Sequence, residues 1–292
     1  MPGARACWVC GSQRLARRRS ANHEGPLDSQ AFAITDTRYG VTAAIDECAD
    51  CGFLQCSELD DVTKFYEDLH DEAYEAGRPQ RRLQLRRILD RVRRYRPEGR
   101  LLDIGAASGI LVAEAQEMGY EAEGVEPSRW LQQKAVERGL PVRLGTFPAA
   151  SSGGAFDVIT LVDVIEHVTD PLCLLRAARA ALAPDGILAV VTPDVRSVAA
   201  RLLGWRWWHF RVAHVGYFDR ATLALAARRA GFAPLAVHRP GWFFPADYLW
   251  DRAWKILGLA GARAPALLQR VTVPLNLRDS LLAILRPDEP TE

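Results

Sequence analysis

The stretch that decides the fold is Leu101-Leu102-Asp103-Ile104-Gly105-Ala106-Ala107-Ser108-Gly109, in which apolar residues lead into a run of small ones. Apolar residues around one acid indicate a buried strand, and the pattern that begins at Ile110 indicates a helix directly after the turn. Gly105 and Gly109 leave the backbone open to a ligand and tolerate positive φ. The free N–H groups at the start of that helix favour a polar or anionic group. The stretch therefore predicts a strand–turn–helix unit that binds a ligand.

The order of residues in this turn differs from two common nucleotide-binding loops. Its D-x-G-x-A-x-G pattern lacks the G-x-G-x-x-G spacing of dinucleotide-binding folds, and it has no Lys followed by Ser or Thr as in a P-loop. The turn resembles motif I of the class I S-adenosylmethionine (SAM) methyltransferases. Ala107 stands where that family has its middle glycine.

Strand and helix patterns alternate after this turn, which predicts a mostly parallel sheet covered on both faces. Ligands of such sheets bind beyond the carboxyl ends of the strands. We predict strands at 100–104, 121–125, 141–145, 156–162, 186–192, 232–238 and about 279–286, and helices at 109–118, 128–138, 171–183 and 219–230. The predicted fold class is α/β, a Rossmann-like seven-stranded sheet whose last strand, by the resemblance, is antiparallel.

An acid closes the second predicted strand. Glu126 lies 23 positions after Asp103 and precedes Pro127 and Ser128. A carboxylate at the tip of that strand can accept hydrogen bonds from both ribose hydroxyls of a nucleoside. Helix capping is the other explanation for an acid there, but Ser128 already suits that role. Glu126 is therefore predicted to bind the cofactor.

The segment from Asp163 to Pro171 adds to the resemblance, because its sequence D-V-I-E-H-V-T-D-P is similar to the family's segment after the fourth strand. The resemblance covers residues 100–238 and part of the tail, and it implies a SAM cofactor. Tyr66 and Tyr74 precede the glycine turn, where the family often lays a helix over the methionine end of the cofactor, and Thr146 follows the third strand, near adenine in the family. The implied cofactor-binding residues are Asp103, Gly105, Ala106, Ala107, Gly109, Glu126, Pro127, Thr146, Val162, Asp163, Tyr66 and Tyr74.

Two C-x-x-C-G turns lie near the start of the chain. Cys7 and Cys10 form the first, and Cys48 and Cys51 form the second, and the alternating stretch from Tyr39 to Ile45 between them suits a strand of a zinc ribbon. Cys56 is either a substitute ligand or, as we favour, a buried thiol, and Cys173 in a later helix is most simply core. Four thiolates make a complete tetrahedral shell for structural Zn²⁺, whereas free thiols or two disulfides are the alternatives. The ion would replace a core that so short a segment cannot build. We predict a zinc ribbon over 1–56, a helical linker that covers the cofactor over 57–98, and the methyltransferase domain over 99–292.

Two histidines are candidate bases for methyl transfer, because unperturbed imidazole titrates near neutrality. His167 follows the fourth strand, and His214 lies in the aromatic stretch after the fifth strand, with Tyr217 close behind it as a possible assistant. Bracing of a loop is the alternative role for His167, and a structural contact is the alternative for His214. Trp205, Trp207, Trp208 and Phe210 either form local core or, as we favour, a platform for the acceptor.

An aromatic-rich insertion over 241–274 precedes the last strand. It is either a helical lid on the domain or a surface that touches a membrane and reaches a lipid-linked acceptor. The chain has no apolar run long enough to span a bilayer and no secretory signal, so we expect a cytoplasmic protein.

The resemblance implies methyl transfer to a small acceptor, a sugar, glycan or secondary metabolite, at oxygen first and then at carbon or nitrogen. Two other functions remain open. An RNA methyltransferase could use the zinc ribbon and the arginine-rich helix around 80–95 to grip phosphates, although a net charge of +1 speaks against a nucleic-acid partner. The arginines could equally form a solvated face. A non-catalytic binding module with the same fold is the third alternative.

Overall fold

The structure is a computed structural model, and the residues that it describes are 6–257 and 264–288. Its first part contains three short strands and three helices. They are β1 (Leu15–Arg19), β2 (Ile45–Cys48), β3 (Leu54–Gln55), α1 (Thr63–Glu67), α2 (Glu72–Ala76) and α3 (Arg78–Val92).

The strand–helix alternation follows the predicted pattern closely. Its elements are β4 (Arg100–Ile104), α4 (Ile110–Glu117), β5 (Glu121–Glu126), α5 (Arg129–Val136), β6 (Val142–Leu144), β7 (Phe156–Val162), α6 (Pro171–Ala181), β8 (Leu182–Pro193), α7 (Val198–Leu203), β9 (Gly216–Tyr217), α8 (Arg220–Arg229), β10 (Phe232–His238), β11 (Trp242–Pro245), α9 (Ala246–Leu257), β12 (Thr272–Leu275) and β13 (Ser280–Pro287).

Seven of these strands form the main sheet, in the order β10-β13-β8-β7-β4-β5-β6. The pairs among β8, β7, β4, β5 and β6 are parallel, and β13 is antiparallel to both of its neighbours. The predicted fold class is confirmed. Because β4 lies inside the sheet, between β7 and β5, with both faces covered, Leu101 and Leu102 are fully buried. The turn that follows β4 lies at the carboxyl edge of the sheet.

The N-terminal sheet takes its fourth strand from far along the chain. Its order is β1-β2-β3-β9, and Leu54 of β3 pairs with Tyr217 of β9. The Phe53 and Phe218 rings pack with centroids 4.8 Å apart, and Cys7 belongs to the same buried cluster as Phe218. The cysteine-bearing segment is therefore packed on the main domain rather than joined to it by a loose linker.

Some local predictions are wrong. Of the expected strand residues from Tyr39 to Ile45, only Ile45 lies in a strand. Cys173, expected in the core, is exposed on α6. The insertion contains the two-stranded sheet β11-β12, with α9 and a 3₁₀ turn at Ala266–Arg270 between its strands. The aromatic insertion suggests a helical stretch to Val271; α9 is described up to Leu257, and residues 258–263 lie outside the described residues. So does most of the tail, at 289–292.

Candidate active site and metal centre

The turn after β4 has a conformation that depends on its small residues. Gly105 and Gly109 have φ of +75° and +74°, and a Cβ on Gly105 would lie 2.6 Å from Val164 Cγ2. Both the left-handed backbone and the lack of space therefore require glycine at position 105. Ala107 also lies in the left-handed region, with φ of 48°, which costs a non-glycine residue about 1–3 kcal/mol. The turn keeps its shape although one glycine of the family pattern is replaced.

Glu126 holds this turn against the start of α5. Its Oε2 accepts the Ala107 N–H at 2.7 Å, and its Oε1 accepts the Ser128 N–H at 2.8 Å. Burial raises the pKa of Glu126 to about 7, although these two hydrogen bonds oppose the rise. Ser128 caps α5, because its Oγ accepts the Leu131 N–H at 3.1 Å. Each oxygen of Glu126 keeps a lone pair for another donor.

Asp103 lies beside the same turn, at the end of β4. Its Oδ1 accepts the Thr160 hydroxyl at 2.6 Å, and burial raises its pKa to about 7. Tyr74 of α2 is buried nearby and supports the Arg81 guanidinium, which lies 4.0 Å above the Tyr74 ring centroid. Arg81 Nε is buried and has no hydrogen-bond partner in the described structure. This end of the site therefore holds acids and one cation under a helical cover.

A cavity of about 1680 Å³ opens above the carboxyl edge of the sheet. Ligand pockets commonly measure about 300–1,000 Å³, so this cavity has room for two ligands side by side. Of the predicted cofactor-binding residues, the cavity is lined by Tyr66, Tyr74, Asp103, Gly105, Ala106, Ala107, Glu126, Pro127, Thr146, Val162 and Asp163. Gly109 is not among its lining residues and instead begins α4.

The predicted catalytic histidines lie together at the other end of the cavity. The rings of His167 and His214 meet edge to face with centroids 4.8 Å apart, and His209 stacks on His214 at 5.4 Å. Burial lowers the pKa of His167 and of His209 to about 3 and that of His214 well below its ordinary value. Arg211 lowers all three further. The imidazoles are therefore neutral near pH 7.

Hydrogen bonds fix the tautomer of His167. Its Nδ1 lies 2.8 Å from the Ala213 carbonyl oxygen and 2.7 Å from the Tyr66 hydroxyl. A carbonyl can only accept, so Nδ1 carries the proton and Nε2 is left as an acceptor. His214 Nδ1 and Glu166 Oε1 are buried without a partner among the described residues. The sequence did not predict the bond from Tyr66 to His167.

Asp163 lies between the two ends of the cavity. It has a φ of 53°, directly after β7, and its carboxylate opens into the cavity. The surrounding protein raises the pKa of Asp163 to about 6, and the charges of Arg81 and Arg211 limit the rise. A carboxyl group with this pKa changes charge close to neutral pH, which suits proton transfer.

Two parts of the predicted acceptor site lie elsewhere. Tyr217 is buried in β9 and does not line the cavity, and its hydroxyl donates to the Arg211 carbonyl at 3.4 Å. Trp207 and Phe210 belong to the hydrophobic core, so the expected platform is reduced to Trp208, which does line the cavity. Apolar side chains in this stretch are buried because β9 carries it into the N-terminal sheet.

Several residues at the acceptor end were not predicted by the sequence. They come from the loop before β2, from the stretch after α7 and from the insertion. They are Tyr39, Arg211, Trp242, Tyr248 and Arg252. These segments are far apart in the chain, and the only signal in the sequence is their richness in aromatic residues and arginine.

Part of the arginine-rich face of α3 is ion-paired. Arg82 and Arg86 both contact Glu114 and Glu117, at N–O distances of 2.5–3.2 Å. These contacts leave less positive charge for a polyanion than the sequence suggests.

The four cysteines of the two C-x-x-C-G turns form one cluster. Their sulfur atoms all lie within 4.8 Å of one another, with Cys7 and Cys51 3.6 Å apart and Cys10 and Cys48 3.4 Å apart. A tetrahedral shell with Zn–S bonds of about 2.3 Å needs sulfur separations of this size, so the residues fit a structural zinc ion. Cys56 is buried outside the cluster, as expected.

Within residues 6–257 and 264–288, no helix combines the length and the apolar character that crossing a bilayer requires.

Comparison with known proteins agrees with this geometry. A family model described as a methyltransferase domain matches residues 78–237, which is more than half of the chain. A ubiquinone biosynthesis O-methyltransferase of Cereibacter sphaeroides is 31% identical over 167 residues, 52% of this chain and 67% of that protein. One of Haemophilus ducreyi is 32% identical over 116 residues, 36% of this chain and 49% of that protein. The chain thus spans about half the length of the latter relative.

A solved structure shares the fold. It is a chain from the complex of the Haloferax volcanii Trm112 methyltransferase activator with a methyltransferase, with a TM-score of 0.52 and 14% identity. The match covers 75% of this chain and 94% of that chain. Sheet order, glycine turn, strand-end acid and family match agree, and the chain belongs to the class I SAM-dependent methyltransferases.

Proposed function

We propose that the protein transfers the methyl group of SAM to an oxygen atom of a small acceptor. One observation carries the proposal: a single cavity joins the Asp103–Glu126 end to the end that holds Asp163 and His167. Its volume of about 1680 Å³ accommodates a nucleoside cofactor and an acceptor together. The relatives named as ubiquinone biosynthesis O-methyltransferases support oxygen, ahead of carbon or nitrogen, as the methylated atom.

The cofactor end of the cavity would hold SAM through its own polar groups. Glu126 would accept both ribose hydroxyls with the lone pairs that its backbone hydrogen bonds leave free. Thr146 would lie near adenine, and the acids around Asp103 would favour a cationic ligand. Tyr66 and Tyr74 would cover the methionine end. When bound, SAM supplies an electrophilic methyl group on a sulfonium.

The acceptor end would orient a hydroxyl and take its proton. His167 Nε2, left unprotonated by the Nδ1 bond to Ala213, would accept a hydrogen bond from the acceptor hydroxyl. Asp163 is the better proton acceptor, because its pKa of about 6 lies closer to the working pH than the pKa of about 3 of His167. His214 would support the His167 ring, and Tyr217 has no direct part.

The insertion over 241–274 would form a lid over the acceptor. Trp242, Tyr248 and Arg252 face the cavity, which favours a cover over a purely external surface. A membrane-facing role stays a prediction, for which the exposed Leu267 and Val271 are the candidate contacts. The acceptor itself is proposed to be a sugar, a glycan or a secondary metabolite.

The test uses the purified zinc-loaded chain with radiolabelled SAM and with cell extract separated into small-metabolite, glycan, lipid and RNA pools. We expect label in the small-metabolite or glycan pool, with the methyl group on oxygen by mass spectrometry and NMR. Label in RNA alone would instead establish an RNA methyltransferase. If S-adenosylhomocysteine binds but no pool becomes labelled, the protein is a binding module and the proposal is wrong.

A further inference from the structure

The acceptor end of the cavity contains a buried arginine that has no carboxylate partner in the described structure. Arg211 is 9% exposed and lines the cavity. Its Nη1 and Nη2 donate to the carbonyl oxygens of Ile34 and Ala33 at 2.8 and 3.1 Å, and its Nε is buried without an acceptor. Burying a cation is costly unless it is paired and hydrogen-bonded. The site is therefore incomplete without another negative group.

A second guanidinium faces the same cavity from the lid. Arg252 lies over the rings of Tyr39 and Tyr248, at 5.2 and 4.4 Å from their centroids. Its Nη1 is buried with no partner among the residues that the structure describes. The Gly40 N–H donates to the Phe210 carbonyl at 2.7 Å, which holds the Tyr39 segment, and Arg252 with it, beside the segment of Arg211. The charges of Arg252 and Arg211 both lower the pKa of Tyr39 against the effect of burial.

The acids near these arginines already have other contacts. The Asp36 carboxylate is 3.0 Å from Arg38 Nε, and Asp247 accepts the Tyr248 N–H at 2.9 Å. Farther along the cavity, burial raises the pKa of Glu166 well above its ordinary value, which reduces its negative charge. The unpaired Asp36 Oδ2 could accept a hydroxyl of the same ligand. The Asp163 charge also acts on Arg211, but the two Arg211 Nη atoms donate to backbone carbonyl oxygens. None of these acids satisfies Arg211 Nε or Arg252 Nη1.

We propose that the acceptor carries an anionic oxygen group, a phosphate or a carboxylate, which binds between Arg211 and Arg252. Planar guanidinium groups suit such oxygens, and charge-assisted hydrogen bonds are stronger than neutral ones. The proposal rests on the proposed methyl transfer and narrows its acceptor class. It also explains why arginines from separate segments converge beside the lid.

The test separates the labelled products of the wild-type chain, incubated with radiolabelled SAM and small-metabolite extract, on an anion exchanger at pH 8. We expect the label to be retained. Treatment with phosphatase and pyrophosphatase then distinguishes the two sources, because it releases a phosphorylated product and leaves a carboxylate product bound. Labelled products that pass through unretained would overturn the inference while leaving methyl transfer established.

Arg252→Gln is the matched variant, and Arg176→Gln is its control, because Arg176 is exposed on α6 and does not line the cavity. We expect Arg252→Gln to reduce labelling of the retained product by about tenfold or more, with unchanged affinity for S-adenosylhomocysteine. Arg252→Met, which also removes the charge, tests the same point if the first variant does not bind S-adenosylhomocysteine. Wild-type labelling by a folded Arg252 variant would contradict the proposal, whereas a complete lack of label in the wild type would remove the proposed function itself.

Discussion

The two ends of the cavity differ in how their residues are assembled. At the cofactor end, Asp103 and Glu126 lie on two adjacent strands and Gly105 lies in the turn after the first of them, within one short stretch of the chain. At the acceptor end, Tyr39, Arg211 and Arg252 come from three distant segments that meet only in the folded protein. The first end follows from the main sheet, whereas the second needs the N-terminal sheet and the lid as well.

The largest expected effect comes from removing one of the four proposed zinc ligands. Structural zinc contributes about 10–16 kcal/mol in small zinc domains, which is as large as the whole stability of many proteins. We expect Cys48→Ser to abolish methyl transfer, because the loop with Tyr39 that forms part of the acceptor end would lose its support. Metal analysis, activity and S-adenosylhomocysteine calorimetry would check this.

Cys173→Ser is the control for zinc content, because Cys173 is exposed and lies outside the cysteine cluster. Cys173 lines the cavity, so the activity of this variant is not part of the comparison. If Cys48→Ser kept its activity after zinc had been lost, the N-terminal sheet would not support the acceptor end.

Removal of the proposed base is expected to have the next largest effect. Asp163→Asn keeps the size of the side chain but cannot take a proton, so kcat should fall by about 10²–10⁴-fold. Affinity for S-adenosylhomocysteine should change little. Single-turnover kinetics with the identified acceptor measures the effect, and a kcat close to wild type would move the base assignment to His167.

Replacement of Glu126, the proposed hydrogen-bond acceptor for the ribose hydroxyls, should affect the cofactor end of the cavity. Glu126→Gln loses a charged acceptor, and we expect S-adenosylhomocysteine to bind about 10–100-fold more weakly. Glu121→Gln is the control, because Glu121 is exposed on the same strand. Equal affinities of the two variants by calorimetry would show that Glu126 only holds the turn.

The pH dependence distinguishes the two proposed proton acceptors. If Asp163 is the base, kcat should decline as pH falls through about 6, because the carboxylate becomes protonated. Below that value the decline in kcat should approach about tenfold per pH unit. A base with the pKa of His167, about 3, would leave kcat constant over the same range. Stopped assays between pH 5 and 8 with the folded state monitored by circular dichroism would decide.

The smallest expected effect concerns Tyr66, which links the helical cover to His167. Tyr66→Phe removes a hydrogen bond at 2.7 Å, worth about 1 kcal/mol, so we expect a loss of about fivefold in kcat/KM. In this variant His167 keeps its hydrogen bond to the Ala213 carbonyl, so the loss reports on the Tyr66 hydroxyl. A loss as large as that of Asp163→Asn would place Tyr66 in the chemistry itself.

The sequence by itself determined the seven-stranded sheet, the turn after β4, the position of Glu126 and the cysteine shell. These features depend on hydrophobic periodicity, on glycine at positive φ and on pairs of cysteines three residues apart, and each of these patterns is local in the sequence. It also predicted the aromatic insertion, but not which of its side chains face inward.

Only the tertiary structure decided the acceptor end. β9 pairs with β3 across more than 160 residues, and this pairing carries Trp207 into the core and Arg211 beneath the cavity. Burial lowers the pKa of the histidines, and enclosure at the cavity wall raises that of Asp163. Asp163 thereby becomes a better candidate base than the histidines, which the ordinary pKa of imidazole had suggested. Local patterns cannot encode these results, because desolvation and unpaired charge depend on which distant segments meet.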